Sequence, residues 1–175
     1  MRVFIALLFP KLIKDELFKT VETLQGRYKG NFTSYENLHL TLYYIGEVNE
    51  ALLMKIIDGI NQIEYPNFDI KTSKLSSFKN STKHCLVHVK VDLSSQLKVL
   101  QKKVLMALEK SGVIIDNSNF SPHITLGRKV EISYHDLDSF KTDQLDIPII
   151  KISIMESKRV IDELVYEEIA FKELI

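Results

Sequence analysis

The segment "NLHLTLYYIGEV" (residues 37–48) sets a histidine and a threonine two apart on a short apolar strand, and "FSPHITLGR" (residues 120–128) repeats the arrangement. In a strand, residues i and i+2 point to the same face. His39 and Thr41 therefore share a face, while Leu38, Leu40 and Leu42 point the other way into apolar packing. His123 and Thr125 share a face in the same manner, with Ile124 and Leu126 opposite. Two such strands related by symmetry gather two imidazoles and two hydroxyls around one cleft.

The chain around these strands reads as two similar halves. Val3 to Phe9 is a continuous apolar run of strand length. Pro10 follows, and Leu12, Ile13, Leu17, Phe18, Val21 and Leu24 recur at helical spacing, which predicts a helix over 11–27. Residues 28–36 read as a loop, and Leu38 to Ile45 as the first motif strand. Asn49 is placed to cap a second helix with Leu52, Leu53, Ile56, Ile57 and Ile60 on one face. Two strands, 68–78 and 84–91, flank the polar turn "KNSTK" (79–83). A helix over 93–111, ended by Gly112, then leads to the second motif strand, Phe120 to Leu126. A short helix near 134–140 and closing strands at 147–156 and 164–171 complete the chain. The matching places of His39 and His123 predict an internal duplication within one domain, residues 1–175, with motif strands near 38–45 and 120–127.

Composition narrows the function classes. The 23 basic and 23 acidic side chains cancel to a formal net charge of zero. A long duplex nucleic acid or an acidic membrane surface calls for a basic excess, so neither is expected as a partner. A short nucleotide end held by a few groups is compatible. One cysteine, Cys85, admits no internal disulfide and fits a reducing compartment. The opening apolar run is too short to span a membrane and lacks a small-residue cleavage site, so a cytoplasmic protein is expected, as a monomer.

Paired imidazoles and hydroxyls suit displacement at phosphorus. An ordinary imidazole titrates near ~6.5, so one ring can be neutral while its mate is charged. That supplies a general base and a general acid without a metal or another cofactor. Threonine hydroxyls donate to non-bridging phosphate oxygens. Spacing alone leaves open which histidine is acid and which is base.

The sequence resembles the two-histidine phosphoesterase superfamily, and most closely the bacterial and archaeal RNA 2′,3′-cyclic phosphodiesterases, also described as the 2′-5′ RNA ligase family. "RVFIALLFP" resembles the family's opening strand, the two segments quoted above its motif blocks, and "ISIMESKRVIDELVYEEI" its closing hairpin with Ser157. The resemblance implies an α+β, bilobal fold. Two pseudo-symmetric antiparallel sheets face a central cleft, with helices on the outside. It also implies hydrolysis of the 2′,3′-cyclic phosphate ends of RNA or nucleotides to 2′-phosphomonoesters. His39 would be the general acid and His123 the general base, with Thr41, Thr125 and Arg128 on the phosphate. Tyr44 stands where the family has an aromatic for the base or ribose. Tyr43 beside it is the strict same-face partner of His39 and Thr41 by alternation. Where relatives carry an Arg- or Trp-containing segment before the first motif, this chain has "NFTSYE".

Other readings remain at this level. The same machinery serves 2′-5′ oligonucleotides, a cyclic phosphate on ADP-ribose, or 2′-5′ ligation in reverse. A non-catalytic module that binds RNA ends would not need both histidines and both threonines. His84 and His88 are four apart on a strand, about 13 Å, too far to share an ion, so no metal site is expected. His84 points away from Cys85, which reads as structural, and His135 is expected at the surface. Lys71, Lys74, Lys79 and Lys83 form a basic rim or a solvated hairpin face.

Overall fold

The computed structural model describes residues 1–79, 81, 83–116 and 118–175. Among the described residues, nine strands and four α-helices alternate in the α+β manner expected. The strands are β1 (Arg2–Leu7), β2 (Asn31–Phe32), β3 (Leu40–Glu47), β4 (Phe68–Lys79), β5 (Cys85–Val91), β6 (His123–Val130), β7 (Asp146–Ile149), β8 (Lys151–Val160) and β9 (Glu163–Glu173). The helices are α1 (Lys11–Arg27), α2 (Glu50–Asn61), α3 (Ser95–Lys110) and α4 (Tyr134–Ser139). Asn80 and Thr82 of the expected "KNSTK" turn lie outside the described residues.

Two antiparallel wings make up the sheet. One runs β7-β4-β5-β6 and the other β3-β1-β8-β9. The two expected sheets are thus the wings of one curled sheet, joined where Leu40 of β3 pairs with Ile124 of β6. The strands do not stay with their own half of the sequence. β4, which follows the first motif strand, pairs with β5, and β8, which follows the second, pairs with β1. Each half of the chain therefore completes the other half's wing.

Helix faces and strand faces meet in one core. Leu17, Val21 and Leu24 of α1, Ile56 and Ile60 of α2, and Leu97, Leu100, Val104 and Leu108 of α3 are buried at helical spacing. Burying a leucine of this kind contributes about 2 kcal/mol. Asn49 caps α2 by accepting from the Leu52 N–H at 2.8 Å, as its position before the apolar stripe predicts. β1 explains its own unbroken apolar run. Val3, Ile5 and Leu7 join the main core, while Phe4 and Ala6 point the other way and bury with Met155. A strand covered on both faces has no need of alternation.

Several boundaries differ from the sequence reading, and the second motif strand runs His123–Val130 rather than Phe120–Leu126. Residues 28–36 contain β2 and the start of a 3₁₀ turn, Tyr35–Asn37, rather than loop alone. The expected strand at 147–156 is two strands, β7 and β8, which break at the exposed Ile150 and pair with opposite wings. Pro148 sits in β7 at the outer edge of its wing, where a missing N–H is tolerated. The first motif strand starts at Leu40, so His39 stands one residue before it. Among the described residues no helix is long and apolar enough to cross a membrane.

Candidate active site

The wings meet at the motif strands. Because these strands are antiparallel and Leu40 faces Ile124, the register sets His39 toward Thr125 and Thr41 toward His123. Leu40 and Ile124 are fully buried on the core side. The four polar side chains on the other face line one cavity of about 310 Å³, with Phe4, Tyr44, Arg128, Ser157 and Tyr166. An antiparallel pair of His-x-Thr segments about a central apolar pair thus alternates base and hydroxyl around the cavity. A groove of about 590 Å³ runs elsewhere, between α2 and α3, and holds none of the motif residues.

Each histidine is fixed by the backbone two residues before it. His39 Nδ1 lies 2.6 Å from the Asn37 carbonyl oxygen, and His123 Nδ1 lies 2.8 Å from that of Ser121. A carbonyl only accepts, so Nδ1 carries the proton in both rings and Nε2 holds the lone pair in the neutral form. His39 Nε2 is 2.9 Å from the Thr41 hydroxyl, which donates to it while the ring is neutral. Protonating Nε2 reverses that bond and releases the hydroxyl proton toward other acceptors.

Asn37 ties the first histidine to the far end of its wing. Its side-chain amide donates to the Leu164 carbonyl at 2.8 Å, and its Oδ1 accepts from the Tyr166 N–H at 3.2 Å. Asn37 is buried, so these bonds also satisfy polar groups that water does not reach.

Aromatic rings clamp both imidazoles. His39 lies 5.1 Å from Phe4 and 5.1 Å from Tyr166, which are themselves 5.0 Å apart. His123 lies 5.1 Å from Phe78 and 5.0 Å from His88, and those two rings stack at 4.2 Å. The sequence reading missed Phe4, Tyr166, Phe78 and His88. Phe4 was hidden in an unbroken apolar run, and the others come from strands far away in the chain.

Burial sets the charge state of these rings. Desolvation lowers the His39 pKa to about 4, helped by the positive charges of Arg128, His123 and Lys14 and opposed by the bond to Asn37. Desolvation likewise lowers His88 to about 4, helped by His123. His123 is shifted down for the same first reason, with Arg128 adding to it. For stability the sign follows directly. The unfolded chain takes a proton on His88 near ~6.5, the folded chain only near pH 4, so His88 stabilises fully above ~6.5 and that stability is lost as pH falls toward 4. The loss from His88 is on the order of 3 kcal/mol. Thermal melting followed from pH 7 to pH 4.5 should show a falling midpoint, with a shallower slope in His88→Phe. An identical slope in the variant would remove His88 from the effect.

The two tyrosines part company. The β1–β3 pairing matches Ile5 with Tyr43 and Ala6 with Thr41, which leaves Leu42 as an extra residue, a β-bulge. The bulge breaks the alternation that made Tyr43 the same-face partner of Thr41. Tyr44 lines the cavity instead, and Tyr43 turns to the core side, where its hydroxyl accepts from the Asp116 N–H at 2.9 Å.

None of the remaining candidates lines the cavity. His84 faces Glu131 at 3.4 Å, while His88 is buried beside His123. Cys85 is buried, and burial pushes its thiol pKa up. His135 is exposed. Lys71 pairs with Asp146, and Lys79 and Lys83 line a separate groove with His84.

Fold and site together define an α+β protein with a two-histidine cleft between antiparallel wings. The family model of the 2'-5' RNA ligase superfamily matches residues 13–137, and the chain belongs to that superfamily. It is 27% identical over 158 residues to a Thermotoga maritima protein named RNA 2',3'-cyclic phosphodiesterase, covering 88% of this chain and 82% of that one. A protein of the same name from Archaeoglobus fulgidus is 29% identical over 128 residues, 73% of this chain and 72% of the other. Among solved structures, Escherichia coli LigT complexed with 3'-AMP superposes with a TM-score of 0.83 at 20% identity, covering 99% of this chain and 97% of LigT.

Proposed function

We propose that the protein hydrolyses 2′,3′-cyclic phosphate ends of RNA or nucleotides to 2′-phosphomonoesters by paired histidine acid–base catalysis, without a metal. The observation that carries this reading is the interleaved set His39, Thr125, Thr41 and His123 lining one cavity with Arg128. Hydroxyls and a guanidinium suit the non-bridging oxygens of a phosphate. Two imidazoles suit attack and departure on opposite sides of phosphorus. Relatives named RNA 2',3'-cyclic phosphodiesterase support the substrate class.

In this mechanism His123 Nε2 takes a proton from the attacking water. His39 Nε2–H protonates the departing ribose 3′ oxygen, leaving the phosphate on the 2′ oxygen. The depressed pKa of His39 bears on that role. Its causes are burial and neighbouring positive charge. A bound phosphate anion offsets the second cause and favours the imidazolium. The substrate thus brings the charge that loads the acid, and protonated His39 frees Thr41 to donate to the phosphate. Tyr44, exposed at the cavity mouth, stacks on the base or ribose.

The reading takes residues 1–175 as one bilobal domain formed by internal duplication and acting as a cytoplasmic monomer. The like placement of His39 and His123, each bonded to the carbonyl two residues before it, supports the duplication. The test is a short RNA ending in a 2′,3′-cyclic phosphate, incubated with the protein in excess EDTA. Ring opening to a 2′-phosphate at the rate seen without EDTA is expected. A 3′-phosphate product, or a rate abolished by EDTA and restored by a divalent metal, would overturn it.

A further inference from the structure

Past His39 the cleft opens into a second cavity of about 520 Å³. It shares His39, Thr125, Arg128 and Tyr166 with the first, so these four side chains form a divide with space on either side. His123 and Tyr44 lie on the first side, Phe32 and Arg159 on the second. A phosphate held at the divide therefore has room beyond the one nucleoside that it belongs to.

The second cavity has a defined wall. Phe32 on β2 is seated over Gly127, where a Cβ would lie 3.0 Å from the Phe32 ring and 2.8 Å from Val130 Cγ2. Facing it is the tip of the β8–β9 hairpin, turned by Ile161 and Asp162 at φ of 50° and 63°. Arg159 stands at this tip, and its Nη1 donates to the Asp162 carbonyl at 3.1 Å. Among the described residues its guanidinium enters no ion pair. Asp162 and Glu163 line the same cavity. Two carboxylates repel a polyphosphate, whereas they accept from the exocyclic amines of a base. Arg159, in addition to Arg128 at the divide, matches one further phosphodiester.

We infer that this cavity takes the nucleotide immediately 5′ of the one carrying the cyclic phosphate, with Arg159 on the phosphodiester that links them. The inference rests on the proposed function and deepens it. The protein would then be built for the ends of RNA strands rather than for free cyclic mononucleotides.

The test compares kcat/KM on adenosine 2′,3′-cyclic phosphate and on the adenosine dinucleotide ending in the same group. The wild type should favour the dinucleotide by about tenfold or more, the worth of a charge-assisted phosphate contact. In Arg159→Ala, an exposed position, that ratio should fall toward one. A wild-type ratio near one overturns the inference and leaves the proposed function standing. A wild-type preference that Arg159→Ala does not reduce also overturns it. A wild type that opens neither ring overturns both.

Discussion

Replacing His39 or His123 by alanine is expected to lower kcat/KM on an RNA 2′,3′-cyclic phosphate end by about 10²–10⁴-fold, the range for loss of one general acid or base. The two rings line one cavity and are held in the same tautomer, so the expectation is symmetric. Once one imidazole is gone, the other has no partner across phosphorus. The double variant should therefore fall little below the singles, because groups that act as a unit are not additive. Each ring also packs against two others, so melting curves must accompany the kinetics. His39→Gln and His123→Gln keep a planar polar group and guard against an unfolded variant. A loss smaller than about tenfold in a folded variant would remove that histidine from the chemistry.

Ile124→Ala should cost about 3 kcal/mol of stability, within the range for truncating a fully buried isoleucine. Ile124 sits where the wings join, paired with Leu40 on one side and Val89 on the other. Urea unfolding should show a lower midpoint at unchanged slope. Ile114→Ala, at a side chain 95% exposed, is the control and should shift by less than about 0.5 kcal/mol. Equal effects at the two positions would mean that the join contributes little.

The sequence carried local information well. Helical spacing placed α1 at its observed limits, and the cap at Asn49 is where the polar residue before an apolar stripe suggested. Thr41, His123 and Thr125 were legible because period two in a short strand is a strong constraint, and His39 keeps that face although it stands one residue before β3. What failed was long-range or irregular. No pattern in the chain announces that Leu40 faces Ile124, or that β8 crosses to pair with β1. A bulge leaves no mark on hydrophobicity, so Tyr43 and Tyr44 could not be told apart until the extra Leu42 was seen. The bonds from His39 and His123 go to main-chain carbonyls, which every residue has. The residues at 37 and 121 therefore gave no sign of a shared task.

The exchange of strands between the halves bears on how the protein is made. β1 is made well before β8, one of its two neighbours, which begins at Lys151. Until then an apolar strand that the finished protein buries on both faces lacks its lasting company on one edge. Pairings of such long sequence separation are slow to form, and the cleft stays open on the side of Tyr166 and Arg159 until they do. The two-histidine cleft is therefore closed on both sides only once β8 and β9 have been made, and the segment from β1 to β4 passes through synthesis in need of shelter rather than as a finished lobe.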